Sequence, residues 1–331
     1  MKKIVIKNCN DYKIFEDVVF RIDIEKKFWI NNLKINEGCF SFSGQVEDLI
    51  FLFEENKFKT YAYDFTGTLK IKIEDYALIL KHKFYSGKYL TVINNGKDIT
   101  WNLYDLEENK VIQDYSELGY NGFNLVIDDS FFITKNKKKI GLFNFENEVI
   151  WQHSYIDLLN EENTTISTEI VEVSGVVYFL LHGGGKHECF GLDANTGKVV
   201  KRIPNIVGDI IVENEFIYFL HSEVITIYNT QKGEIITWEI EDLMVETGIE
   251  RLWFPRWAIH DELIYFSQSK GADRNSDNIG ARFGVLDPTK KELLWQDKLP
   301  LENGIIGSIK VNQNRIYLHT QDQTLFIYEK E

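Results

Sequence analysis

Three stretches of the 331-residue chain gather residue types that could bind or react. His182-Gly183-Gly184-Gly185-Lys186-His187-Glu188 sets two imidazoles, an ammonium and a carboxylate around three successive glycines. Imidazole and carboxylate are metal ligands, and consecutive glycines let backbone amides close on an anion. The spacing matches no metal or phosphate-loop motif, and no helix follows to complete a phosphate site. The expectation is a surface hairpin offering His182, Lys186 and His187 to a partner. Gln268 to Gly280 alternates Asp273, Asn275 and Asp277 as the ligands of a calcium loop do, but the glycine and bidentate glutamate of that loop are missing at their offsets. This stretch reads as a long polar excursion, with Asp273, Arg274 and Asp277 as partner contacts. In Arg251-Leu252-Trp253-Phe254-Pro255-Arg256-Trp257-Ala258, tryptophan and arginine stand together as they do at binding hot spots. Large rings also pack cores, so the reading is core packing first and surface recognition by Trp253, Arg256 or Trp257 second.

Other chemistry is not encoded in any recognisable pattern. There is no GxSxG elbow, no HExxH and no Walker loop, so no catalytic residue, metal or cofactor is assigned. His182, His221 and His319 end corresponding strands of different repeats, too far apart to share one metal, and read as structural histidines.

Charge and composition narrow the partner classes. Asp and Glu number 51 against 37 Lys and Arg, a formal charge of −14, which repels phosphate backbones and anionic lipids. Nucleic acid and membrane are therefore set aside; the acidic balance reads first as the ordinary charge of a soluble protein and second as a match for a basic protein surface. Cys9, Cys39 and Cys189 are odd in number and widely spaced, which reads as free thiols in a reducing compartment. Met1 to Asn8 has too short an apolar run for a signal peptide, and no run approaches membrane-helix length. The expected location is the cytoplasm.

The elements that would position these residues form a repeat. A β-rich run after a polar turn starts at residues 48, 88, 130, 176, 216, 263 and 315, as in Phe216-Ile217-Tyr218-Phe219-Leu220 and Leu263-Ile264-Tyr265-Phe266-Ser267. A period of roughly forty to fifty residues is that of a four-stranded propeller blade. Each copy keeps its neighbours in order: an apolar strand before the run, then an alternating strand, a turn and a closing strand. Phe190-Gly191-Leu192-Asp193, Asn195-Thr196-Gly197-Lys198 and Val199-Val200 show the frame, as do Val285-Leu286-Asp287-Pro288 and Leu293-Leu294-Trp295.

Leu192-Asp193-Ala194-Asn195-Thr196-Gly197-Lys198 resembles the pyrroloquinoline-quinone-type propeller repeat, over about residues 40 to 331. It departs at Lys201, where the family's docking tryptophan is expected, and at Trp238, one place late. The resemblance implies an all-β fold, a single β-propeller over 1–331 with seven four-stranded blades, or eight as the alternative. Quinone chemistry fits poorly, since the enzymes of that family are exported and carry adjacent cysteines. An N-terminal strand within residues 1–36 must complete the last blade. Lys3 to Lys7 and Glu25 to Leu33 are candidates, the second favoured because it parallels Lys291 to Leu299, while Val18 to Ile24 reads as a further strand that leaves eight blades, or seven with a strand extension, as alternatives.

The function this implies is a monomeric, non-catalytic scaffold for an unknown protein, for instance one masking a basic partner as an immunity protein does. Two alternatives are a small-molecule or enzymatic propeller using the channel mouth, and an exported outer-membrane assembly factor.

Overall fold

The computed structural model describes residues 2–36, 38–46, 48–54, 57, 59–74, 77–83, 88–94, 99–115, 125–127, 131–135, 138–144, 146, 148–166, 169–249, 252–269 and 280–329. The runs identified in the sequence are strands, and their central residues are buried without alternation: Ile50-Phe51-Leu52, Val177 to Leu181, Ile217 to Leu220, Ile264 to Phe266 and Ile316 to Leu318. A strand buried on both sides lies in a sheet covered on both faces.

The described strands form eight antiparallel sheets. The chain divides into two compact units. One unit, Asn8–Asn136 with Phe143–Glu148, holds three four-stranded sheets in chain order. Their first and last strands are Cys9–Phe15 to Leu33–Asn36, Phe40–Val46 to Leu69–Ile73, and Ala77–Lys83 to Lys110–Asp114. The pairing of Leu125–Val126 with Phe131–Lys135 belongs to the same unit.

The other unit holds Met1–Lys7, Lys137–Leu142 and Val149–Glu331. After Val149–Ser154 and the short helix Tyr155–Leu159, its fifth sheet is built on Val176–Gly183, Lys186–Asp193 and Val199–Pro204. The sixth sheet comprises Asp209–Glu213, Phe216–Leu220, Val224–Asn229 and Ile235–Glu239. The seventh comprises Arg256–His260, Leu263–Gln268, Arg282–Asp287 and Glu292–Lys298. The eighth takes Ile306–Asn312, Arg315–Thr320 and Leu325–Glu329, and its fourth strand is Lys2–Ile6.

One turn recurs between third and fourth strands. Asp193 Oδ1 accepts the Thr196 amide at 2.8 Å and its hydroxyl at 2.7 Å, while Gly197 turns left-handed at φ +69°. The same position is filled by Asp64, Asp105, Asn144, Asn229 and Asp287, each accepting one or more turn amides through its side chain. A short acceptor two to four residues upstream of the amides is what closes such a turn. The Leu-Asp-x-x-Thr-Gly signature is therefore a turn device.

The docking tryptophans join neighbouring sheets. Trp151, buried in the strand Val149–Ser154, donates Nε1 to the Ala194 carbonyl at 2.8 Å and covers Gly197 of the fifth sheet. Trp238 of the sixth sheet packs with Ile264 and Leu286 of the seventh. Trp295 of the seventh reaches Tyr328 of the eighth at 6.2 Å between ring centroids. Lys201 stands in the tryptophan position of the fifth sheet and holds its ammonium 4.7 Å from the centre of the Tyr228 ring in the sixth, so a cation–π contact takes the place of the indole.

The favoured completing strand is corrected. The strand that completes the last sheet is Lys2–Ile6, paired antiparallel with Leu325–Glu329, and Lys3 lies over the Phe326 ring at 4.8 Å. Glu25 to Leu33 cannot do this. Asp23 Oδ1 accepts the Glu25 and Lys27 amides, Lys26 is left-handed at φ +61°, and Phe28–Ile30 returns onto Val18–Asp23. Residues 9–36 thus form a sheet of their own, in addition to the seven copies read from the sequence. Its second strand, Val18–Asp23, carries Arg21 buried within the apolar run, with the guanidinium 4.4 Å from the Trp29 ring centre.

Candidate functional site

The connection from the sixth sheet to the seventh places the predicted aromatic residues. The short helix Glu241–Glu246 is pinned by Met244, and Ile249 and Leu252 are buried in the same cluster as Trp238 and Phe266. Gln296 Nε2 donates to the Thr247 carbonyl at 2.9 Å, tying the connection to the seventh sheet's last strand. With Leu252 anchored inward, the next residues turn outward: Trp253 is 41% exposed and Phe254 67%.

Phe254 carries unusual geometry. Its φ is +48°, a left-handed value for a bulky residue and one that stands directly before Pro255, where extended backbone is favoured. The Trp253 carbonyl accepts the Ser269 amide at 3.0 Å, and the Ser267 hydroxyl accepts the Arg256 amide at 3.1 Å, so both flanks of the strained residue are held.

An open cleft of about 370 Å³ lies here, lined by Leu220 at the end of the sixth sheet's second strand, His221 and Ser222 in the turn after it, Gly208 and Asp209 at the start of its first strand, and Leu252 to Pro255 with Trp257. Trp257 is half-buried and packs against the core beside Ile259, which is the core reading of this residue, while one edge lines the cleft. Arg256 is exposed but engaged, its Nε donating to the Gly307 carbonyl at 3.0 Å. His221 lines the cleft and accepts the Glu223 amide through Nδ1 at 3.4 Å. The Asp209 carboxylate is exposed and makes no hydrogen bond or ion pair with any described residue.

The hairpin at 182–188 is built by glycine chemistry. Gly184 and Gly185 have φ of +56° and +82°, the two positive values that a tight two-residue turn between His182–His187 and Gly183–Lys186 pairs requires. The imidazoles stack at 6.0 Å between centroids, Thr165 Oγ1 lies 2.6 Å from His182 Nε2, and Lys186 pairs with Glu161 at 2.6 Å. Glu188 pairs with Arg202 at 2.5 Å, so it is not available to join the two histidines around a metal. Among the described residues, no group of three His, Cys, Asp or Glu side chains is placed to hold a metal ion. Asp273, Arg274 and Asp277 lie outside the described residues.

Sequence reasoning missed Phe254 and Asp209 and set His221 aside as structural. No local pattern marks them. Phe254 matters through its backbone angle, and Asp209 and His221 are brought to Trp253 by the packing of one sheet on the next.

A second cleft of about 400 Å³ lies at the third-to-fourth turns of the same two sheets, lined by Phe216, Tyr218, Ile227 and Lys291 among others. Beside it, the Glu213 carboxylate accepts the amides of Asp261 at 3.0 Å and Glu262 at 2.8 Å, both left-handed, and so clamps the seventh sheet's first turn to the sixth sheet. Burial pushes the Tyr218 hydroxyl up, and the surrounding Glu213, Glu262 and Glu215 add to the shift.

Solved structures similar to this chain are β-propellers. BamB from Moraxella catarrhalis matches with a TM-score of 0.58 at 12% identity, covering 100% of this chain and 99% of that one. KlHsv2 with loop 6CD replaced by a Gly-Ser linker matches at 0.52 and 10% identity, over 88% of this chain and 96% of that one. A chain of the Mitotic Checkpoint Complex matches at 0.50 and 10% identity, over 91% of this chain and 93% of that one. No family model matches the chain, and no curated protein does. The chain has the β-propeller fold, a scaffold shared by many functions. No helix among the described residues is long and apolar enough to cross a membrane.

Proposed function

We propose that this chain is a non-catalytic scaffold that binds another protein through the surface around Trp253 and Phe254. The observation that carries the reading is Phe254 itself. A large ring held in left-handed backbone, 67% exposed and in ring contact with no described residue, costs stability twice, through strain and through apolar exposure. Such a cost persists where a bound state recovers it. Similar propellers occur in assemblies, as the Mitotic Checkpoint Complex illustrates by its name. In this reading each four-stranded sheet is one blade, with Lys2–Ile6 completing the last, and the 182–188 hairpin stands at the same end of its strands as the Trp253 cleft. The sheet at residues 9–36, beyond the seven copies of the repeat, supports the eight-blade alternative.

The test is affinity capture from the native host with the wild-type chain and with the Trp253→Ala/Phe254→Ala double variant in parallel. A protein retained by the wild type and lost by the folded variant supports the reading. Retention that is identical for both, or no retention at low salt, overturns it.

A further inference from the structure

The sixth sheet departs from its neighbours where it docks on the seventh. In the fifth and seventh sheets the ladder between third and fourth strands shifts register, setting Lys201 opposite Gly191 and Trp295 opposite Val285. A bulge of this kind re-aims the side chain beside it. The sixth sheet has no such shift: Ile236 stands opposite Ile227, while Trp238 stands opposite Ile225 and is buried with Ile264 and Leu286. The position that docks on the next sheet is therefore held here by an isoleucine that is 49% exposed.

The cleft of about 400 Å³ opens at that position, and its wall in the seventh sheet is the turn Pro288, Thr289 and Lys291. Pro288 and Lys291 follow Asp287 as Ala194 and Gly197 follow Asp193, and Lys291 is left-handed at φ +57° as Gly197 is at +69°. At the fifth sheet this turn receives the Trp151 indole, with Nε1 on the Ala194 carbonyl and the ring on Gly197. At the seventh, the Pro288 carbonyl makes no hydrogen bond with any described residue, and Phe216, Tyr218 and Ile236 line the same cleft. Its volume falls in the range of small-ligand sites, about 300 to 1,000 Å³. The stretches that line it, 209–239, 256–268 and 282–298, are described throughout.

The rim carries charge of both signs. Lys232, Glu234, Glu262 and Lys291 make no ion pair with a described residue, and the Lys291 ammonium has the Thr237 carbonyl at 3.5 Å. Two ammonium groups and two carboxylates favour a ligand with one charge of each sign over a net anion or a net cation.

We infer that this cleft binds a free amino acid with an indole side chain. The ring takes the place that Trp151 takes at the fifth sheet, its N–H donates to the Pro288 carbonyl, and its ammonium and carboxylate meet the charged rim. The site is independent of the protein-binding reading, since it lies at the opposite end of the strands from Trp253.

The test is calorimetric titration of the full chain with L-tryptophan, with N-acetyl-L-tryptophanamide, which lacks both charges, and with benzothienylalanine, in which sulfur replaces the ring N–H. The expected result is saturable binding of L-tryptophan, with affinity about three- to tenfold lower for the sulfur isostere and lower again for the amide. Lys232→Gln/Glu262→Gln, at exposed positions, lowers L-tryptophan affinity about two- to fivefold for each charge removed, at an unchanged thermal midpoint. Ile236→Trp supplies an indole from the chain itself and abolishes binding at an unchanged or higher midpoint. Absence of saturable L-tryptophan binding at millimolar concentration overturns the inference, as does full affinity of either analogue. Undiminished binding by a folded Ile236→Trp overturns it too. Where that variant does not fold, full affinity in Lys232→Gln/Glu262→Gln does the same.

Discussion

The indole nitrogen of Trp151 donates to the carbonyl of Ala194 at 2.8 Å, across 43 residues of chain, and the ring lies on Gly197 so closely that a Cβ there would come within 2.6 Å of the indole. One side chain thus locks the edge of one sheet to the turn of the next. Removing it leaves a cavity and an unpaired carbonyl together. Trp151→Ala is expected to lower stability by about 3 to 5 kcal/mol, and Trp151→Phe by less, because the ring is kept and only the hydrogen bond is lost. Gly197→Ala strains a left-handed position and pushes the indole away, costing about 1 to 3 kcal/mol. Urea unfolding of the three variants orders them.

Lys201 offers the converse experiment. It occupies the place of a docking tryptophan and makes a cation–π contact with Tyr228. Lys201→Ala is expected to cost about 0.5 to 1 kcal/mol. Lys201→Trp restores the repeat's own solution and is expected to hold or raise the urea midpoint; a fall greater than that of Lys201→Ala would show that the fifth and sixth sheets are spaced for lysine alone.

The turn carboxylates set an acid limit. The Thr196 hydroxyl and amide hold Asp193 below the ordinary value of 3.8, and the Lys290 amide does the same for Asp287. A carboxyl whose folded pKa is depressed contributes stability above its unfolded value, and that contribution fades as pH falls through the folded one. The loss therefore begins near about pH 3.8 and grows on further acidification. Asp193→Asn/Asp287→Asn keeps the acceptors without the ionisation, as Asn144 and Asn229 already do at the same turn position. Its urea midpoint is expected to drop less than the wild type's between about pH 5 and about pH 3.

Phe254 links stability to binding in opposite senses. Phe254→Gly relieves a left-handed backbone and removes an exposed ring, and is expected to stabilise the chain by about 1 kcal/mol while weakening partner capture. A thermal midpoint that falls instead would show that the ring is packed in the free protein.

The repeat was legible because its signals are local. Asp193 to Lys198 carries its turn in six consecutive residues, and Leu263 to Ser267 carries its burial in one run, so period, strand order and fold class could be read directly. The strand Val18–Asp23 was also legible, with Arg21 inside its apolar run, but that residues 9–36 pair among themselves into a full sheet was not, because that depends on which strands meet and not on any one run. The N-terminal run was one of two candidates for the completing strand, and the choice between them went the wrong way because Glu25 to Leu33 matches the repeat better by composition and is removed from contention by its own hairpin.

The candidate surface shows the division most sharply. Trp253, Arg256 and Trp257 were conspicuous by residue type, but type alone could not separate the exposed Trp253 from the core-packed Trp257 or the Arg256 bonded to Gly307. The chain's own pattern determined that it makes four-stranded β-sheets of one repeating design with an acidic balance. Only the tertiary structure decided which strand completes the last sheet, which rings stay outside, and that Asp209 and His221 stand beside them. Those outcomes depend on contacts between residues tens of positions apart and on a single backbone angle at Phe254, neither of which local periodicity encodes.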